Sequence, residues 1–559
     1  MRSNSLAASL AGLLALSLPA AQVAATKMTS HAHSMFHKEM KFLDNIYDPV
    51  AGYLYYFYYP LAAGPHETRS TVWYATGLLQ RNEGNDTVNA IRIIKDVIAN
   101  QEKNVSAQWY GDYTVYPEQP TVGSPSYAPV IYNSWDPNWR GFIGTTLMII
   151  YEEFGSLIGK DVQDLILESL YNNTIGDSYR VGGVDGDNLY PSYSNPSLMR
   201  AVVTGWTGNH CNDSNMTAAG ETYAQEIIDL FNMNDTLSEF NVPTYYGVSL
   251  NALTLWSKYM PETSVMRQNG PRMVGDIWTA FGDFYNAKLR NLAGPWDRSY
   301  GYDMNRYVAI MSLYIWSLVG REHVFSGAGT EDPWLLTHAD DGEFIPIVAT
   351  LSEYHKSLVP DAVFSQLKSF PANASRTVHR QAYTPPFDLE VRNITTWLTP
   401  DLQIGGDSYN QTVVGGASQD STSFSPAVVH WHRNATALQD ASVGYLSLHP
   451  SEMSMQASVA ANSLNLTYPA GNASSVFTFV VSSNPLGGRR DVTGLADIDG
   501  INITVGAGST VNPEPVVAFC GLVGGTCSLI HNFEFWNLTF TMPANSTALP
   551  QLNLNIQLP

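Results

Sequence analysis

Residues 139–154 read WRGFIGTTLMIIYEEF. Trp139, Phe142, Ile143, Leu147, Ile150 and Phe154 recur at three- and four-residue spacings, the period of a helix that buries one stripe. Segments of the same kind lie on either side: Met35–Ile46, Glu67–Leu79, Thr87–Ile98, Val162–Tyr171, Glu221–Phe231, Val248–Tyr259, Asp276–Leu292 and Met304–Leu318. Gly, Pro and Asn clusters separate them, and no strand pattern intervenes, which argues against a βα repeat. Each helix pair must bury a stripe, and a closed ring of antiparallel pairs does so for all of them at once. Residues 26–340 are therefore expected to form an (α/α) toroid, with residues 341–374 as a helical linker.

Beyond residue 375 the period shortens. Ile394–Leu398, Ala427–His432, Val443–Leu448, Ser458–Leu466, Val476–Val481, Ile501–Val505, Phe533–Thr541 and Leu552–Gln557 are short β-branched or alternating runs punctuated by turn residues. They predict an antiparallel β-sandwich over residues 375–559 and an α+β multidomain chain.

The 559 residues are 44% apolar and 14% charged, enough for large cores and inconsistent with global disorder. The net charge of −21 excludes a general nucleic-acid binder, which needs a basic face. Arg2, the apolar run Leu6–Leu18 and Val23-x-Ala25 read as an export signal over residues 1–25. No later apolar run is long enough to cross a bilayer, so a secreted, soluble monomer without a membrane partner is expected. About fifteen Asn-x-Ser/Thr sites, Asn85, Asn104, Asn212, Asn393, Asn465 and Asn537 among them, fit that route and a glycoprotein. Cys520 and Cys527 enclose a flexible loop and are candidates for a disulfide, leaving Cys211 as a free thiol.

Polar-aromatic clusters mark the helical half: Glu67-Thr-Arg69, Trp135-Asp-Pro-Asn-Trp-Arg140, Thr204-Gly-Trp-Thr-Gly-Asn-His210, Pro243-Thr-Tyr-Tyr-Gly247 and Gly294-Pro-Trp-Asp-Arg-Ser-Tyr-Gly-Tyr-Asp303. Their shared groups are amide, imidazole, phenol, guanidinium and indole. Indole faces stack on sugar rings, and guanidinium pairs bidentately with carboxylate. β-Elimination from a uronic acid needs this set. Its carboxylate must be neutralised, its C5 proton removed and the leaving oxygen protonated, with no metal or other cofactor.

Asn138-Trp139 with Ile143-Gly144 resembles the Asn-Trp-Trp…Ile-Gly helix of the family 8 hyaluronate, chondroitin and xanthan lyases, with Arg140 at the second Trp. Asn241-Val-Pro-Thr-Tyr-Tyr-Gly247 resembles their catalytic-tyrosine segment, which implies Tyr246 as the phenol. Asn209-His210, following a Gly-Trp-Thr-Gly stretch that reads as a turn at the inner rim of the toroid, resembles the Asn-His pair of toroid-fold alginate and heparinoid lyases, which implies that Asn209 neutralises the uronate and His210 assists proton transfer. The likeness implies a divergent uronate lyase acting on a glucuronan- or alginate-like glycan.

The candidate catalytic set is thus Asn209, His210, Tyr246, Arg298 and Tyr300. Arg69, Trp135, Asn138, Trp139, Arg140, Trp206 and Tyr245 are candidate contacts to an acidic polysaccharide. Each has a structural alternative: Arg69 or Arg140 can pair with Glu67 or Asp136, Asp297 with Arg298, and the aromatic residues can simply pack. A toroid-fold hydrolase is the competing activity, with Asp136 and Asp303 as its two carboxylates and Glu67 in reserve. His31, His33 and His37 lack carboxylate or Cys partners at ligand spacing, so no metal site is expected.

Overall fold

The computed structural model describes residues 26–56, 66–184, 186–299, 308–325, 339–412, 424–433, 443–482, 492–520 and 535–559. The proposed export signal, Tyr300, Asp303 and Cys527 lie outside them.

Twelve helices among the described residues precede the main sheet. Five of them, α2 (Thr68–Arg81), α4 (Trp139–Ile158), α6 (Ser194–Cys211), α8 (Pro243–Tyr259) and α11 (Ile345–Lys356), touch in succession, and α11 returns to α2. Outside this circuit, α3 (Asp86–Ala99), α5 (Lys160–Ser178), α7 (Ser214–Phe231) and α9 (Val265–Phe284) pack respectively on α2, α4, α6 and α8. Sequence explains the division. The outer α3 buries a stripe from Ala90, Ile93, Ile94 and Val97, whereas α4 is buried all round from Trp139 to Ile150. No helix among the described residues is long and apolar enough to cross a membrane.

α2, α4, α6 and α8 run the same way. Their first turns meet: Arg69 lies against Trp139 and Phe142, Asn138 bonds Tyr193, and Asn195 bonds Glu239. Their last turns meet at the opposite end, where Glu153 of α4 pairs with Lys258 and Tyr259 of α8, and Glu152 bonds Trp206 of α6.

Two helices differ from expectation. The Gly-Trp-Thr-Gly stretch, read as a turn, is interior to α6. A Cβ at Gly208 would stand 2.4 Å from Thr217 N, and one at Gly220 would stand 2.4 Å from Gly205 N, so these glycines let α6 and α7 pack backbone to backbone. The helix expected over Asp276–Leu292 instead begins at Val265, capped by the Ser264 hydroxyl, and ends at Phe284. Tyr285–Asn286 and Asn291–Leu292 then form a small hairpin.

Twelve strands form one continuously hydrogen-bonded antiparallel sheet, in which β8 (Leu402–Asn410) pairs with β7 (Arg392–Leu398), β9 (Ala427–His432) and β11 (Ser454–Ala460). The run read as one strand over Ser458–Leu466 is a hairpin turning at Asn462, which has φ of 60°. The sheet folds over itself: Phe477 and Phe540 on one side share a core with Leu464, Leu466 and Leu554 on the other. Strands β8 and β9 are buried on both faces because residues 294–299 of the helical half lie across them. There Trp296 bridges to Ser425, and Thr396 donates to the Gly294 carbonyl. A Cβ at Gly405 would fall 1.8 Å from that carbonyl oxygen. Gly405→Ala is expected to destabilise the chain by about 1–3 kcal/mol through overpacking, read as a lowered denaturant midpoint.

Candidate active site at the first turns of the inner helices

The meeting of four helix starts gathers a polar cluster. Glu67 caps α2 by accepting from the Ser70 amide, and its carboxylate lies 3.3 Å from the Arg69 guanidinium. Arg69 is clasped by the rings of Trp73, Trp139 and Phe142, with centroids 4.9–5.1 Å from its guanidinium carbon. Just ahead of α4, Asp136 accepts the Asn138 amide at 2.9 Å. The Asn138 side chain donates to the Tyr193 hydroxyl at 3.2 Å and accepts from Arg180 at 3.0 Å, while Arg180 pairs with Asp187. Ahead of α8, Glu239 accepts both the backbone and the side-chain N–H of Asn195.

Arg298 completes the cluster. Its guanidinium carbon lies 5.0 Å from the Tyr245 ring centroid and 5.7 Å from that of Tyr193, and its Nη1 is 3.7 Å from Glu239. Arg298 is held by Glu239 rather than by the neighbouring Asp297, whose carboxylate turns to Arg392 at 2.9 Å.

Burial and the guanidiniums compete here. Burial raises the Asp136 carboxyl, while its bond from the Asn138 amide and the charges of Arg180, Arg69 and Arg298 pull it down. Glu239 is likewise raised by burial against Arg298. Tyr193 is pushed up to about 12 by burial, with the Arg298 charge opposing. Guanidiniums and helix N-termini on one rim suit an anionic ligand, and phenols beside a guanidinium suit proton transfer.

Arg69, Asn138, Trp139, Tyr245 and Arg298, all sequence candidates, come together at this rim; Trp135 lies beside it, buried. Others do not. Asn209 and His210 sit in the last turn of α6, fourteen residues past Asn195 and so about 21 Å along the helix. His210 stacks on Trp206 at 3.8 Å and approaches Glu152 at 3.5 Å. The two residues face solvent at the opposite end, because the presumed turn that was to bring them inward is continuous helix. Trp206, fully buried there, offers no sugar platform. Arg140 is 0% exposed and spends its guanidinium on the Tyr110 and Gln108 carbonyls, with Asp177 at 3.9 Å, so it cannot reach a ligand. Tyr246 points into the core, where its hydroxyl takes the Asn241 amide; burial raises its pKa. Tyr246→Phe would strand that amide, so a stability loss of about 1–3 kcal/mol with unchanged turnover is expected from unfolding curves and rate assays in parallel.

Tyr300 of the catalytic set, Asp303 of the hydrolase pair and Cys527 of the disulfide fall outside the described residues. Cys211 is a half-buried free thiol at the end of α6. The sequence reading missed Arg180, Tyr193, Asn195 and Glu239. Pro196, near the start of a helix, was the one available signal for the Tyr193–Asn195 corner.

Residues 33–353 match the family described as Domain of unknown function (DUF8769). The chain belongs to that family. Its matched span contains every rim residue from Glu67 to Arg298. Residues 374–557 match a second family described as Domain of unknown function (DUF8770). Comparison with curated protein sequences gives no match. Among solved structures, the Streptomyces coelicolor A3 chondroitin AC lyase in complex with chondroitin sulphate matches with a TM-score of 0.38 and 9% identity, over 95% of this chain and 79% of that one. A likeness of that degree carries no weight for this chain's activity.

Proposed function

We propose that the chain is a secreted polysaccharide lyase that cleaves a uronic-acid-containing glycan, glucuronan- or alginate-like, by β-elimination at the first-turn rim of an (α/α) toroid. The observation that carries this reading is Arg298 lying against both Tyr193 and Tyr245, with Tyr193 bonded to Asn138 and the charges of Arg298 and Arg69 both felt by Asp136. In it, Arg298 takes the sugar carboxylate and neutralises the charge that grows as C5 loses its proton. Tyr245, half-buried and so within reach of solvent, removes that proton as phenolate, with the Arg298 guanidinium 5.0 Å from its ring centroid. The electron pair left at C5 forms the C4=C5 bond as the C4 oxygen departs, and the Tyr193 hydroxyl gives that oxygen its proton. Arg69, partly exposed and backed by the buried Trp139, adds a second cation for the chain. No step calls for a metal.

The net charge of −21 opposes a polyanion at long range, but exposed charges are screened beyond about 8–10 Å at physiological salt, so recognition rests on short-range contact with Arg298 and Arg69 at the rim. The test is incubation with glucuronan, alginate, hyaluronan and xanthan-type polymers. Ultraviolet absorbance from the new double bond is expected with at least one. Reducing ends without absorbance would mean hydrolysis, and the absence of both would remove polysaccharide cleavage of these polymers altogether.

A further inference from the structure

A cavity lies behind the rim. It is lined by Glu102, Trp109, Asp112, Thr114, Gln119 and Trp135, among others, and has a volume of about 250 Å³. It adjoins the rim through two short links: the Thr68 amide donates to the Val115 carbonyl, and Trp135 precedes Asp136. Its walls are of two kinds. The indoles of Trp109 and Trp135 stand 6.1 Å apart, inclined at 46°. The floor has unspent hydrogen-bonding capacity, since neither Asp112 Oδ2 nor Thr114 Oγ1 has a partner in the protein. Asp112 is 3% exposed, and its other oxygen accepts only the Tyr113 amide. Burial pushes this carboxyl up to about 8, with Arg140 pulling the other way, so near neutrality it is largely protonated and both donates and accepts. The wall carries no Lys or Arg, and Glu102 adds an acid already engaged by the Trp109 indole N–H at 3.0 Å.

We propose that this cavity binds one uncharged six-membered sugar ring, the indoles taking its C–H face and Asp112 and Thr114 its hydroxyls. Size permits it, since a buried cavity of about 150 Å³ in another protein already holds a benzene ring. Charge selects it: no cation lines the wall, so a uronate carboxylate would be buried there beside Glu102 without a counter-charge, whereas a neutral ring would not. The proposal goes beyond the lyase reading and needs no turnover to be tested.

The experiment is saturation-transfer NMR of the full chain with methyl β-glucoside, methyl β-galactoside and methyl β-glucuronide, repeated on Trp109→Ala and Asp112→Asn. Transfer to at least one neutral glycoside is expected, with little to the glucuronide. Affinity should fall about tenfold or more in Trp109→Ala, whose half-buried ring can be removed without opening the core, whereas Asp112→Asn, which like the protonated acid keeps a donor and an acceptor, should stay within about threefold. Absence of transfer from both neutral sugars, equal binding of the glucuronide, or undiminished binding by a folded Trp109→Ala would each overturn the proposal. A chain that cleaves no uronate polymer yet binds these glycosides would refute only the lyase reading.

Discussion

Replacing Arg392 with methionine is expected to lower the unfolding free energy by about 3–5 kcal/mol, the largest stability effect of any single change considered. Arg392, at the start of β7, is 1% exposed and stands among three carboxylates, with Asp297 at 2.9 Å, Asp388 at 3.1 Å and Asp407 at 3.2 Å. It also donates to the Ser238 carbonyl at 2.9 Å. Removing the guanidinium leaves several buried acids facing one another with no counter-charge. The cost reaches the rim, because Asp297 precedes Arg298 and Ser238 precedes Glu239, so one side chain of the β half pins both partners of an ion pair in the helical half. Urea unfolding of the variant checks the magnitude.

The same acids set a pH dependence. Burial pushes Asp297 up to about 7 and Asp407 up to about 8, in each case against Arg392, and Asp112 also stands near 8. A carboxyl whose folded pKa is raised holds its proton more tightly folded than unfolded. Its stabilising contribution is full below the unfolded value near 4 and is lost as pH climbs through the folded value. His355, lowered to about 3 by burial, works in the opposite direction but only below about pH 6.5. Between pH 6.5 and 8.5 the aspartates therefore dominate, and wild-type stability should fall by on the order of 2–4 kcal/mol. In Arg392→Met the deficit should be smaller at the acid end, where protons take the place of the missing cation.

Tyr245→Phe is expected to lower kcat/KM on a cleaved uronate polymer by about 10²–10⁴-fold, the usual worth of a positioned general base. KM should change little, because Arg298 and Arg69 remain to hold the chain. The melting temperature should stay within a degree or two of wild type, since Tyr245 is half-buried and its ring is retained. The adjacent Tyr246→Phe should show the reverse pattern, stability lost and rate kept. Two neighbouring phenols thus separate chemistry from packing.

Much of this architecture was legible because burial writes a period into sequence. α2, α3, α4 and α8 carry apolar side chains at helical spacing, and their reading needed nothing else. α6 was missed for a local reason: Gly205 and Gly208 look like breakers, yet they serve close contact with α7 rather than a turn. That one misreading displaced Asn209 and His210 from the helix exterior to an imagined inner rim. How the strands join was not legible, because alternation in Leu552–Gln557 reports which face is buried, not which strand lies next door. At the rim, Arg69, Asn138 and Trp139 stood out as dense clusters. Glu239 and Tyr193 are single residues with no motif spacing, and the Arg392–Asp297 pair joins positions 95 residues apart. Only the fold places them together.

Whether chemistry belongs to the first-turn rim can be settled by comparing Arg298→Ala with His210→Ala on the polymer that yields the unsaturated product. The rim account predicts a loss of about 10²-fold or more in kcat/KM for Arg298→Ala. His210→Ala, at the far end of α6, should remain within about threefold of wild type, as expected of a solvent-facing residue away from the reaction. A silent Arg298→Ala beside a crippled His210→Ala would contradict it and move the site to the opposite mouth of the ring.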